Sequence, residues 1–191
     1  TITTTPLPCP PRRPSPPLLI AGRLDLGIAF HPASREEIEA EPLFEERMHL
    51  VVHQGHPLAR RQRLRLAELA GVALALLPAS FATRRLIDAA FAQAGVTPLV
   101  RVEMESVDAL LQACRSGPLA TIAAEHAALH AGPDMRAAVL TEPRTVRRAG
   151  LLWRRGASRS AAAREFVALL RPAIARTAAP PSLQGGVAQQ E

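Results

Sequence analysis

A chain of 191 residues, 48% hydrophobic and 21% charged, can bury a core in one domain or two small lobes and is not composed like a disordered protein. Its net charge of +6 comes from 23 arginines and no lysine. These sit in pairs such as Arg60-Arg61 and Arg147-Arg148 with no interleaved aromatics, which fits a solvated surface better than a nucleic-acid groove.

Residues 1–17 hold seven of the 18 prolines and predict a disordered or polyproline-like segment, the main part of a leader over 1–22. Leu24–Phe30 is an almost unbroken apolar run, as in a strand covered on both faces. Leu43 to Val52 reads as a long strand broken by Gly55-His56-Pro57. A helical turn near Leu66–Leu69 leads into a buried strand over Val72–Leu77. Ser80 stands where an N-cap belongs, and Ala82 to Ala94 predicts a helix with Leu86, Ile87, Ala90, Phe91 and Ala94 inward and Gly95 as its stop.

Leu99–Met104 alternates like a half-exposed strand. Ser106 opens a further helix ending at Gly117, with Asp108 favourably placed in its first turn. A short strand at Leu119–Ala123 and a helical turn at Glu125–His130 follow. Arg136–Leu140 and Val146–Trp153 read as strands. Ser158 or Ser160 opens a last helix with Phe166, Leu169, Leu170 and Ile174 inward, bent or shortened by Pro172. A loose tail is expected over 177–191. Such alternation implies an α/β sheet with crossover helices.

No apolar run reaches the roughly 18 residues needed to span a bilayer, so no membrane partner is expected. Cys9 and Cys114 are isolated and suit a cytoplasmic protein. No phosphate loop, HExxH or GxSxG motif is present, so neither catalytic residues nor a cofactor are expected. Glu45-Glu46 and Glu103/Glu105 read as salt-bridged or solvated strand positions. His49 and His53 share a strand face but stand about 13 Å apart, too far for one zinc ion, so no metal site is expected.

Three segments carry a family likeness in their order and spacing: Gly22-Arg23-Leu24-Asp25-Leu26-Gly27-Ile28-Ala29-Phe30, then Glu41-Pro42-Leu43-Phe44-Glu45-Glu46, then His56-Pro57-Leu58-Ala59. Together they resemble the effector-binding module of LysR-type bacterial transcriptional regulators, and residues 22–59 and 77–104 are also similar to the cyanate-operon-regulator subgroup. The resemblance implies a type II periplasmic-binding-protein-like fold of two lobes joined by two crossover strands. On it, residues 54–147 form lobe two, while 23–53 and 148–176 form an incomplete lobe one. It further implies an effector sensor without its helix-turn-helix, truncated at its start, with DNA contacted only through that other domain. The alternative is a stand-alone periplasmic-type small-molecule binding protein, which a secretion signal would favour; none is visible.

Open α/β sheets bind ligands beyond the carboxyl ends of their strands. Ser80, Phe81, Thr83 and Arg84 follow a strand and open a helix, so they become effector-binding candidates, with Arg84 as a planar anion clamp. Phe30 and His31 after the first strand, and Thr121 and Ile122 in another, are expected to line the same cleft; His31 could also titrate near neutral pH. The family pairs two sensors antiparallel. That implies a homodimer surface of Arg85, Asp88, Ala89 and Ala92 on the helix and Arg101 and Glu103 on the next strand, with simple solvent exposure as the competing reading. The incomplete lobe one puts normal dimerisation in doubt.

Overall fold

The computed structural model describes residues 16–30 and 36–178. Their α-helices are α1 (Pro16–Ile20), α2 (Ala82–Gln93), α3 (Val107–Arg115), α4 (Glu125–Leu129) and α5 (Ala161–Ala178). The strands are β1 (Gly27–Phe30), β2 (Ile38–His53), β3 (Arg63–Leu64), β4 (Ala73–Leu76), β5 (Leu99–Glu103), β6 (Ala120–Ala124), β7 (Met135–Leu140) and β8 (Val146–Arg154). A 3-10 turn over Leu66–Leu69 precedes β4. The result is the mixed α/β fold expected of type II periplasmic binding proteins.

β2 organises the sheet. Its first part, residues 38–47, pairs antiparallel with β8, whose other side carries β1. Its second part, residues 48–53, runs between β6 and β7, antiparallel to both. Beyond β6 lie β4 and then β5, all parallel, while β3 joins β7 in parallel. β2 is therefore shared by the two lobes, with β8 beside it where they meet.

Lobe two is a sheet covered on both faces. Period-two alternation sends Leu50 and Val52 of β2, Leu74 and Leu76 of β4, and Ile122 of β6 to one side, where Ile87, Ala90 and Phe91 of α2 close over them. Val51, Ala75 and Ala123 point the other way, under Leu110, Leu111 and Cys114 of α3 and Ala128 of α4. Every residue of β6 is buried, as befits a central strand. α2 ends at a Schellman motif: Gly95 sits at φ +68°, its N–H donates to Ala92 O at 3.1 Å, and Val96 N–H donates to Phe91 O at 3.1 Å.

Lobe one is thinner. Its three antiparallel strands carry α1 on one face, through Leu19, Ile38 and Leu152, and α5 on the other, through Leu151, Trp153 and Ala163. Several expectations change here. The end of the proline-rich leader is helical: Pro16 starts α1, where its fixed φ suits a first turn, and Gly22 at φ +68° ends it. Leu19 is fully buried, so this part of the leader belongs to the core; residues 1–15 lie outside the described ones. The first strand is shorter than expected, and among the described residues it has β8 as its sole strand partner, so Ile28, Ala29 and Phe30 are only half-buried.

α5 also turns out differently. Ser160, not Ser158, caps it, accepting the Ala163 N–H at 3.2 Å. Pro172 lies inside the helix, which continues to Ala178, past the expected start of a loose tail. Its inward positions are Ala163, Val167 and Leu170, whereas Phe166 and Leu169 are 48% and 67% exposed. Both sets are helically spaced, and contact with Leu151 and Trp153 selects the first.

Candidate functional site

A cavity of about 270 Å³ opens on the α3/α4 side of lobe two and reaches the crossing strands. Leu77 at the end of β4, Thr83 in the first turn of α2, Ile122, Ala123 and Ala124 at the end of β6, and Arg147 at the start of β8 line it. Val107, Asp108, Leu110 and Leu111 of α3 and His126, Ala127 and His130 from α4 complete the wall. The geometry follows from the parallel order β6-β4-β5, which brings the carboxyl ends of β4 and β6 and the start of α2 to one edge. The interior is mainly apolar, while Asp108, His126 and His130 are exposed.

Arg147 is the cation of this wall. Its Nε donates to Glu46 Oε2 at 3.1 Å and its Nη2 donates to the same oxygen. Glu46 stands directly opposite it on β2, so the ion pair ties the two crossing strands. Both partners are largely buried, at 18% and 14% side-chain exposure. The guanidinium lies 3.8 Å from the centroid of the Phe30 ring, which makes an edge-to-face contact with Phe44 at 6.2 Å. One residue along, Arg148 pairs with Glu45 at 2.6 Å, and this pair is largely exposed. Strand alternation puts the two neighbouring pairs on opposite faces of the same ribbon.

The expected effector residues separate into those at the cavity and those elsewhere. Thr83 and Ile122 line it, and Phe30 reaches it through its stack with Arg147. Phe81 packs into the α3/α4 core beside the cavity. Ser80 is exposed, and the cap position of α2 belongs to Phe81, with no side-chain cap bond; Ser80 enters through its carbonyl, which accepts from Arg85 Nη1 at 2.8 Å. His31 lies outside the described residues.

Arg84 and Thr121 do not line this cavity. Arg84 donates through Nε to Asp88 at 2.8 Å and through Nη1 to Leu77 O at 2.7 Å and to Glu103 at 2.5 Å. Its guanidinium thus ties α2 to Leu77 at the end of β4 and to β5. Thr121 is fully buried and its hydroxyl has no hydrogen-bond partner among the described residues.

Of the expected pairing residues, Arg85, Ala89, Ala92 and Arg101 are exposed on α2 and β5, while Asp88 and Glu103 are occupied by Arg84. The strand histidines have local roles. His53 Nδ1 accepts the Gly55 N–H at 3.2 Å and His56 Nδ1 the Leu58 N–H at 3.1 Å, shaping the turn after β2. His49 is buried, and desolvation is the main cause holding its pKa below 6.5, against a smaller opposing effect of Glu125.

Arg147, Asp108, His126 and His130 escaped the reading of the sequence. For Arg147 a signal existed: Glu45-Glu46 and Arg147-Arg148 fall on two strands expected to cross, and in an antiparallel register they face each other. The histidines gave none, because α4 is a single short helix with little periodicity.

Comparison with known proteins gives a consistent picture. The LysR substrate binding domain family matches residues 15–175. The transcriptional dual regulator GltC of Bacillus subtilis (strain 168) is 28% identical over 122 residues, 63% of this chain and 41% of that regulator. The chain thus spans less than half the length of that relative. Among solved structures, the effector binding domain of QuiR in complex with shikimate superposes with a TM-score of 0.72 at 22% identity, covering 84% of this chain and 76% of that one. The Synechocystis PCC6803 CcmR regulatory domain in complex with 2-PG gives 0.71 at 20% identity, covering 82% and 76%. At those identities the likeness is one of fold.

Proposed function

The chain belongs to the LysR substrate binding domain family, and from that premise we propose that it is the effector-sensing domain of a transcriptional regulator, taking a small anionic molecule in the cavity between β4, β6 and β8. The observation that carries this reading is the cavity itself. It lies at the carboxyl ends of parallel strands and includes Arg147 of a crossing strand, so that a bound molecule would touch lobe two and the hinge together. QuiR and CcmR have been solved with small molecules, which supports the same use of the fold here.

In this reading ligand binding shifts the population of lobe arrangements, and a separate DNA-binding domain of the regulator responds. Homodimer formation through Arg85, Ala89 and Ala92 of α2 and Arg101 of β5, and a cytoplasmic setting, belong to the same proposal. The chain itself acts as a binder and not as an enzyme, in keeping with a relative that is a transcriptional regulator.

A thermal-melt screen of the purified chain against small organic and inorganic anions and neutral compounds tests it. A true effector at about a hundred times its dissociation constant adds roughly 2.7 kcal/mol, which a cooperative melt resolves. Thr83→Val is expected to reduce that shift. A cooperative melt that no compound moves would count against the sensor reading.

A further inference from the structure

We infer that Arg147, held by Glu46 and Phe30, is the residue that reads the anionic head of the effector, and that the effector is a small organic carboxylate. The inference rests on the sensor reading above and deepens it. It starts from the unequal use of two guanidiniums. Arg84, the clamp suggested by the sequence, engages Asp88, Glu103 and the Leu77 carbonyl. Among the described residues Arg147 donates hydrogen bonds to Glu46 alone, and does so through one oxygen shared by Nε and Nη2.

A guanidinium carries five N–H donors in a planar fork, and a carboxylate takes two of them along one edge. The edge made by Nη1 and the second Nη2 hydrogen has no hydrogen-bond partner among the described residues, and Arg147 forms part of the cavity wall. That edge is matched to a second carboxylate. The stack on Phe30 at 3.8 Å fixes the plane of the fork without using a donor, so little side-chain freedom is left to lose on binding.

Leu77, Leu110 and Leu111 set the rest of the ligand. They favour an apolar body over a bare inorganic anion. Glu46 is a positioning residue with a cost: its carboxylate orients the fork and also repels an incoming anion. Removing its charge and removing that of Arg147 are therefore expected to act in opposite directions.

The test uses the purified chain, with melts and calorimetry against benzoate, hexanoate and succinate, each beside its neutral amide. The expected result is binding of a carboxylate and not of its amide. Arg147→Gln is then expected to weaken binding about 10- to 100-fold, the worth of a charge-assisted hydrogen-bond pair. Glu46→Gln is expected to tighten it, a gain that a purely structural ion pair would not produce. If Arg147→Gln fails to fold, the double variant Glu46→Gln/Arg147→Gln leaves no unpaired buried charge, and the loss is read there.

Carboxylate binding unchanged without Arg147, or not strengthened in Glu46→Gln, overturns this inference and leaves the sensor reading standing. Binding of the amides alone overturns the carboxylate assignment only. If neither carboxylates nor amides bind, this inference fails, and the sensor reading is then decided by the wider screen above.

Discussion

The two halves of β2 run through very different surroundings. Around residues 48–53, apolar side chains cover both faces of the sheet, with sixteen buried residues on the α2 side and ten on the α3/α4 side. Around residues 38–47 each face has a cluster of three among the described residues, and Phe166 and Leu169 of α5 are exposed nearby. One strand thus passes from a double-sided core into a thin one. Among the described residues, lobe two packs on two broad clusters, whereas lobe one joins two small ones with ion pairs at its surface.

The sharpest way to break that comparison is Phe91→Ala. The ring is 1% exposed at the centre of the larger cluster, and its removal is expected to cost about 3–5 kcal/mol by chemical denaturation, with both lobes unfolding together. Leu19→Ala, in the smallest core, is expected to cost about 2–3 kcal/mol, near the lower end for such deletions, because a thin lobe collapses more readily into the gap. Its effect should also stay local. Amide exchange should rise in β1 and β8, while Cys114 remains slow to alkylate. That thiol is fully buried in lobe two and burial pushes its pKa up to about 11, so it reports on opening of lobe two alone. Faster alkylation in Leu19→Ala would show that the lobes do not open separately.

Smaller changes sharpen the picture inside lobe two. Gly95→Ala is expected to cost about 1 kcal/mol from the positive φ alone, since nothing lies within 4 Å of the added methyl group. Thr121→Val replaces a buried, unpartnered hydroxyl by a methyl group and is expected to stabilise the chain by roughly 1 kcal/mol, seen as a higher melting temperature. The smallest effect is a pH dependence. His49 in the fold takes a proton less readily than in the unfolded chain, so its contribution is complete above pH 6.5 and declines as pH falls below that value. His49→Gln should flatten the stability profile in that acidic window.

Legibility in the sequence followed the same divide. In lobe two, periodicity and stop signals located α2, α3, β4, β6 and β7 to within a residue or two, because every element there has a dense core to face. In lobe one a proline cluster hid α1, although Pro16 and Gly22 bracket it with ordinary helix start and stop chemistry. For α5, composition offered two apolar stripes, and only the packing partner could choose between them. Of the residues the strand-end rule pointed to, Thr83 and Ile122 line the cavity. The rule gave no sign of the bonds of Arg84, whose partners Asp88 and Glu103 lie four and nineteen residues away, and it passed over Arg147, whose partner Glu46 is 101 residues distant.

The register of β2 against β8 also has a mechanical meaning. Pairs run from Ile38 opposite Arg154 to Arg47 opposite Val146, with one irregularity between Pro42 and Phe44. A ladder bonded along such a length resists stretching and shear, since either would break several hydrogen bonds at once. Torsion asks far less of its end at Glu45–Arg47, where β1 no longer flanks β8 and the ribbon is two strands wide, because such ribbons tolerate a wide range of twist. The lobes are thus mounted on something close to a torsion bar, whose softest part is this short end next to lobe two. Movement between them would be rotation about the ribbon axis, with the two Glu–Arg pairs as stops on either face.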